Sequence, residues 1–154
     1  MIRDFDSERT YQNLIDRIDY FKDLNVNAIE LMPVMEYEGN ESWGYNTSFH
    51  MCVDKFYGPE EKLKQFVDLC HQNDIAVILD IALNHITGRS PFVRMWMNDP
   101  DNNGWGSVSE ENPYLNEVAK HSYSVFEDFN HQSYLTQYYT CLLYTSDAAD
   151  EEDS

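Results

Sequence analysis

Basic residues are scarce in this chain. Lys and Arg total 10 of 154 residues against 28 Asp and Glu, a formal net charge of −18. Such a surface repels phosphate, so neither nucleic acid nor an anionic membrane is expected as a partner. Long apolar runs are lacking too, and none approaches the roughly 18 residues of a membrane-spanning helix. The opening segment from Met1 to Asp6 is charged at once and has no apolar stretch of the secretory type. Cysteine is sparse: Cys52, Cys70 and Cys141 make neither a disulfide framework nor a metal-binding spacing. Cys52 and Cys70 are expected as small core residues. His50, His71, His121 and His131 share no ligand spacing, so zinc is not expected. What the chain does have is core-forming material, with 42% hydrophobic and 14% aromatic residues, in a length suited to one domain.

Along the chain, helical and extended patterns alternate. A short strand is expected at Ile2–Phe5. Thr10 suits a helix N-cap, and Leu14, Ile18, Phe21 and Leu24 follow at helical spacing, ending near Asn25. Asn27 to Met32, closed by Pro33, reads as a strand. A loop rich in glycine, asparagine and aromatics is expected from Val34 to Gly58. Pro59 suits the first position of a second helix, with Glu60 and Glu61 favouring its positive end. Leu63, Phe66, Val67 and Cys70 form that helix's apolar stripe. The run from Ile75 to Leu83 is nearly all apolar, the pattern of a strand buried on both faces of a parallel sheet. This order argues an α/β fold. From Thr87 to Thr140 the periodicity fades into a loop-rich excursion with scattered aromatics, among them Trp96, Trp105, Tyr114, Tyr123 and Phe126.

The tail stands apart. Residues Cys141 to Glu151 match the translation of one frame of a widely used transposon-type sequencing adapter. Residues 141–154 are therefore expected to be non-native, and the natural protein is expected to continue beyond Thr140. The first strand looks clipped at its amino end, so further sequence is expected before Met1 as well, and with it any targeting segment.

Two constellations carry chemistry. Asp80 sits inside an apolar run, where a carboxylate costs several kcal/mol unless paired. On a strand, positions 80, 82 and 84 share a face, so Asp80 and Asn84 are expected to point the same way at the strand's carboxyl end. Ligand and catalytic groups of parallel α/β folds cluster at that end. A hydrogen-bonded buried acid and an asparagine cap would satisfy the same pattern. The second constellation is Ser42-Trp43-Gly44-Tyr45-Asn46. A pyranose packs its C–H face on an aromatic ring, and glycine lets backbone approach closely. Plain loop packing would also satisfy it. Glu36, Glu38 and Glu41 read as solvated loop charges.

Taken together, residues 27–33, Trp43-Gly44-Tyr45-Asn46, Tyr57-Gly58 and the stretch from Ala76 to His85 resemble the α-amylase family of glycoside hydrolases. The Asp80-x-x-x-Asn84-His85 ending is the most specific part, and Glu127-Asp128-Phe129-Asn130 is a weaker match. The resemblance covers about residues 2 to 140 and implies a partial TIM (β/α)8 barrel. Residues 1–86 would supply its first three βα units, and residues 87–140 the family's irregular insertion after the third strand, domain B. It further implies that Tyr45 stacks on the sugar in the cleavage subsite, with Trp43 in the same loop, and that His85 hydrogen-bonds that sugar. Asp80 would be a structural acid, normally held by an arginine of the next strand. Asn84 and Asp128 would be oxygen ligands of a calcium ion tying the insertion to the barrel.

The resemblance also implies what this chain does not carry. Retaining glycosidases use two carboxyl groups about 5 Å apart, which in this family come from the fourth and fifth strands. No Gly-x-Arg-x-Asp pattern occurs here. The expectation is a piece of an enzyme that hydrolyses α-glucans such as starch, glycogen or maltooligosaccharides, itself inactive. Open sheet edges would make it poorly soluble or partly unfolded when isolated. Branching enzymes share the Ser-Trp-Gly-Tyr loop but typically lack the Asn before His, so Asn84 favours amylase-like hydrolysis over a branching, debranching or trehalose-releasing relative. A carbohydrate-binding module without catalysis is the alternative of another class.

Overall fold

A computed structural model describes residues 2–5, 7–122 and 125–148. Of the expectations above, those on Tyr123 and on the last six residues of the tail lie outside the described residues. The chain divides into two compact units, Met1–Asn46 with Cys52–Ala82, and Thr47–Met51 with Leu83–Ser154.

The first unit opens with a one-turn helix, α1 (Ile2–Phe5), where a strand was expected. Ile2 turns into the core and Phe5 stacks on Phe21 at 5.2 Å, so packing rather than pairing fixes this segment. Thr10 caps α2 (Tyr11–Asp16) through a reciprocal box with Asn13, as its sequence suggests. The expected single helix breaks at Arg17, whose φ of −106° and ψ of 15° leave the helical range, and resumes as α3 (Ile18–Asp23). Leu14 and Phe21 are buried, but Leu24 lies beyond the last turn and is exposed.

Strand β1 (Ala28–Leu31) is shorter than the expected run. The supposed loop from Val34 to Gly58 contains β2 (Met35–Tyr37) and β3 (Thr47–Val53), the latter passing from the first unit into the second. Cys52 on β3 is exposed, against the core position expected for it. Pro59 proves to be the N-cap of α4 (Glu60–His71), one place earlier than expected, and Leu63, Phe66 and Cys70 are buried. Burial raises the Cys70 thiol to about 11, which keeps it protonated and inert.

Helix α4 is the crossover to β4 (Ala76–Leu79), which pairs in parallel with β1 from Ala28↔Ala76 to Leu31↔Leu79. Strand β4 is therefore four residues long. Its expected burial on both faces does not hold, because Ile78 is 51% exposed. The helices cover one face of a sheet of only two strands, and Val77 and Leu79 pack into the core on that side.

The second unit holds two small antiparallel pairs: β5 (His85–Ile86) with β8 (Glu127–Asp128), and β6 (Met97–Asn98) with β7 (Ser107–Val108). The helices α5 (Pro91–Arg94) and α6 (Tyr134–Ala148) complete it. The irregular stretch thus ends at Tyr134 rather than Thr140, and Cys141–Ala148 continue α6. Ile86, Val93, Val108, Leu115, Phe129 and Tyr139 form its core. No helix among the described residues is long and apolar enough to cross a membrane.

Two loop acids expected in solvent are paired: Glu36 with Lys55 at 2.5 Å and Glu41 with Arg9 at 2.8 Å. The buried Asp54 accepts from the N–H groups of Phe56 at 2.8 Å and Tyr37 at 3.3 Å. Burial outweighs these bonds and holds its carboxyl above the ordinary 3.8. The ionised form is thus disfavoured in the folded chain. That cost is present above the raised folded value, shrinks as pH falls through it, and is gone below 3.8. Thermal melts of the chain and of Asp54→Asn at descending pH are expected to diverge in favour of the natural residue on acidification. A difference that shrinks contradicts this reading.

Candidate functional site

The end of the parallel ladder decides where Asp80 sits. Its backbone N–H donates to the Leu31 carbonyl at 2.9 Å, and the chain then leaves the sheet. Asp80 is therefore one residue past β4, at its carboxyl end, and half-buried rather than inside a buried strand. Residues 80–84 are not strand, so the expected common face of Asp80 and Asn84 does not form.

The Trp43–Asn46 loop is built by its small polar residues. Asn46 donates from Nδ2 to the Glu38 carbonyl at 2.7 Å, and its own carbonyl accepts from Glu38 N–H at 3.0 Å. Ser42 Oγ is bonded to Asn46 Oδ1 and accepts from Gly44 N–H at 2.9 Å. Gly44 has φ +95°, and a Cβ there would run into the Pro33 carbonyl oxygen. Both conditions require glycine. This frame pushes the two aromatics outward, with Trp43 60% and Tyr45 36% exposed.

Tyr45 and Asp80, expected separately, are brought together: Tyr45 Oη donates to Asp80 Oδ2. That hydrogen bond is the main reason the phenol is held above its ordinary 10.0, with the charges of Asp80 and Glu30 adding to it. Tyr45 is thus a neutral donor clamped to a carboxylate, beside the exposed Trp43 ring.

In the second unit, His85 pairs with Asp128 across β5 and β8. Phe126, diagonal to it on the same face, stacks on the imidazole with ring centres 5.0 Å apart and planes 15° apart. Phe126 has φ +64°, an uncommon conformation for a bulky side chain and one that costs about 1–3 kcal/mol. The sequence gave no hint of this, since the contact depends on a register set 40 residues apart. Glu127, its neighbour, is half-buried, and burial lifts its carboxyl above the usual range.

Asn84 is exposed, and its backbone carbonyl accepts from Phe129 N–H at 3.1 Å. Asp128 Oδ2 accepts from Asn116 Nδ2 at 2.7 Å and from Lys120 N–H at 3.2 Å. Asn84 and Asp128 offer hard oxygen atoms, but they are two of the about six to eight that calcium takes. No group of three His, Cys, Asp or Glu among the described residues could hold a metal. The residues described do not by themselves make a calcium site.

These features define a parallel α/β unit with an aromatic-and-carboxylate cluster at the end of a strand. The family profile described as "Alpha amylase, catalytic domain" matches residues 5–147, and the chain belongs to that family. It is 31% identical over 121 residues to malto-oligosyltrehalose trehalohydrolase of Arthrobacter ramosus, covering 76% of this chain and 21% of that protein. It is 43% identical over 77 residues to the 1,4-alpha-glucan branching enzyme GlgB of Halothermothrix orenii, covering 49% of this chain and 12% of the enzyme. Among solved structures, the alpha-amylase from H. orenii has a TM-score of 0.69 at 21% identity, over 95% of this chain and 35% of that one. This chain therefore spans about a fifth or less of the length of these two curated relatives.

Two substitutions test the geometry. Gly44→Ala is expected to destabilise the first unit by about 1–3 kcal/mol, measured by denaturant unfolding; a neutral result contradicts the close approach to Pro33. Phe126→Ala is expected to shift the His85 ring resonances in NMR by removing the stacked ring, and unchanged resonances contradict the stack.

Proposed function

We propose that the chain is part of an α-glucan-acting, retaining glycoside hydrolase, and that it supplies a wall of the sugar subsite rather than the whole catalytic machinery. The observation that carries this reading is the Tyr45–Asp80 hydrogen bond at the carboxyl end of β4, next to an exposed tryptophan. A phenol kept neutral presents its ring face to a pyranose and its oxygen to a carboxylate. Trp43 widens the apolar surface. His85, braced by Phe126, is a hydrogen-bond partner for sugar hydroxyls. Asp80 orients Tyr45, and its second oxygen remains a further acceptor.

In this reading β1, α4 and β4 belong to a (β/α)8 barrel, which needs about 250 residues, and the second unit is the insertion of domain B type. The two carboxyl groups of the retaining mechanism lie on strands outside this chain, so the chain alone binds without cleaving. The small share of the relatives' length supports this. Calcium belongs to the same proposal, with Asn84 and Asp128 giving two of its oxygens, and no step depends on it. A trehalose-releasing or branching activity is the second reading, favoured by the names of the two relatives above.

Titration with maltoheptaose, followed by tryptophan fluorescence, tests the proposal. Saturable binding is expected, weakened about fivefold or more by Trp43→Ala and by Tyr45→Ala. Binding that neither substitution changes overturns the subsite. Release of reducing sugar by the chain alone overturns the claim that its catalytic groups lie elsewhere.

A further inference from the structure

Arg94 is a cation in an acidic chain that lacks an acidic partner. Among the described residues it makes no ion pair, and its Nη1 is buried without a hydrogen-bond partner. A buried donor left unmade costs about 1–3 kcal/mol, more when charged. Its guanidinium lies 4.5 Å from the centre of the Trp105 ring, and that of Arg89 lies 5.2 Å from the same ring. Two like charges on one indole repel each other unless an anion joins them.

The three side chains are held by separate parts of the second unit. Ser90 is fully buried, caps α5 and accepts Arg94 N–H at 3.0 Å, which anchors the helix carrying Arg94. Trp105 sits on the loop between β6 and β7. There both Asp99 oxygens are taken by the N–H groups of Asn103 at 3.0 Å and Gly104 at 2.7 Å, and Asn103 Oδ1 holds Trp105 N–H at 2.9 Å. The carboxylate of this loop is thus spent on backbone and is not turned toward Arg94. Trp105 remains 52% exposed, so the cluster is open to solvent.

We propose that Arg94, Arg89 and Trp105 form a binding site for a phosphate monoester. Guanidinium forks match phosphate oxygens in pairs, and two positive charges balance a dianion where one carboxylate would leave a surplus. The indole adds a flat apolar surface for whatever carries the phosphate. The chain's overall charge works against dianions everywhere else, so binding is expected at this cluster and is expected to weaken with salt. The site is independent of the glucan reading, since neither Tyr45 nor Asp80 takes part in it.

Inorganic phosphate, glucose 6-phosphate and glucose are titrated separately into the full chain at low ionic strength, with calorimetry and tryptophan fluorescence as readouts. Saturable binding of one phosphate per chain is expected. It should weaken about tenfold or more in Arg94→Gln and less in Arg94→Lys. Tighter binding of glucose 6-phosphate than of phosphate identifies a sugar phosphate as the ligand, and equal binding identifies free phosphate. Glucose alone is expected to leave the site untouched. Should Arg94→Gln fail to fold, Arg89→Gln is expected to show the same loss of affinity. No saturation by about 10 mM phosphate, or equal affinity in every folded variant, overturns the proposal.

Discussion

The hydrogen bond from Asp80 N–H to the Leu31 carbonyl ends the parallel ladder, and the rest of the candidate site depends on it. It fixes the register in which Leu31 lies beside Leu79. It also fixes the point at which the chain leaves the sheet. A carboxylate one residue earlier would lie in the ladder among apolar neighbours. One residue past the end it reaches the surface loop and meets Tyr45. The crossover helix α4 makes this ladder affordable, because Leu63, Phe66 and Cys70 cover the face on which Val77 and Leu79 pack.

Around that ladder the loop residues divide the work. Ser42, Gly44 and Asn46 make the turn, while Trp43 and Tyr45 project from it. A motif that reads as one sugar-binding string is therefore two interleaved sets, one structural and one exposed. The second unit uses a different device. There the pairing of His85 with Asp128 places Phe126 diagonally across the imidazole, and the strained backbone of Phe126 is the cost of that stack.

Much of this was legible in the residues. The Thr10 cap, the α4 stripe and the parallel order of β1 and β4 follow from spacing and propensity, which act locally. Tyr45 and Asp80 were both recognisable as site residues, but their mutual bond was not, since it joins positions 35 apart. The length of β4 was overestimated because an apolar run marks burial, not hydrogen-bonding partners, and the run continues to Leu83 after the ladder has ended. For the same reason β2 and β3 were hidden inside a stretch rich in turn residues. Short pairs such as β5 with β8 owe their existence to distant chain, which no local pattern records.

The central claim is that Tyr45 is a neutral donor held by Asp80. It is tested most directly by NMR titration of tyrosine-labelled chain from neutral to alkaline pH, in the natural sequence and in Asp80→Asn. The account predicts that Tyr45 loses its proton above the ordinary 10.0 in the natural chain and falls back toward it in the variant. A Tyr45 that titrates at the same pH in both would contradict it.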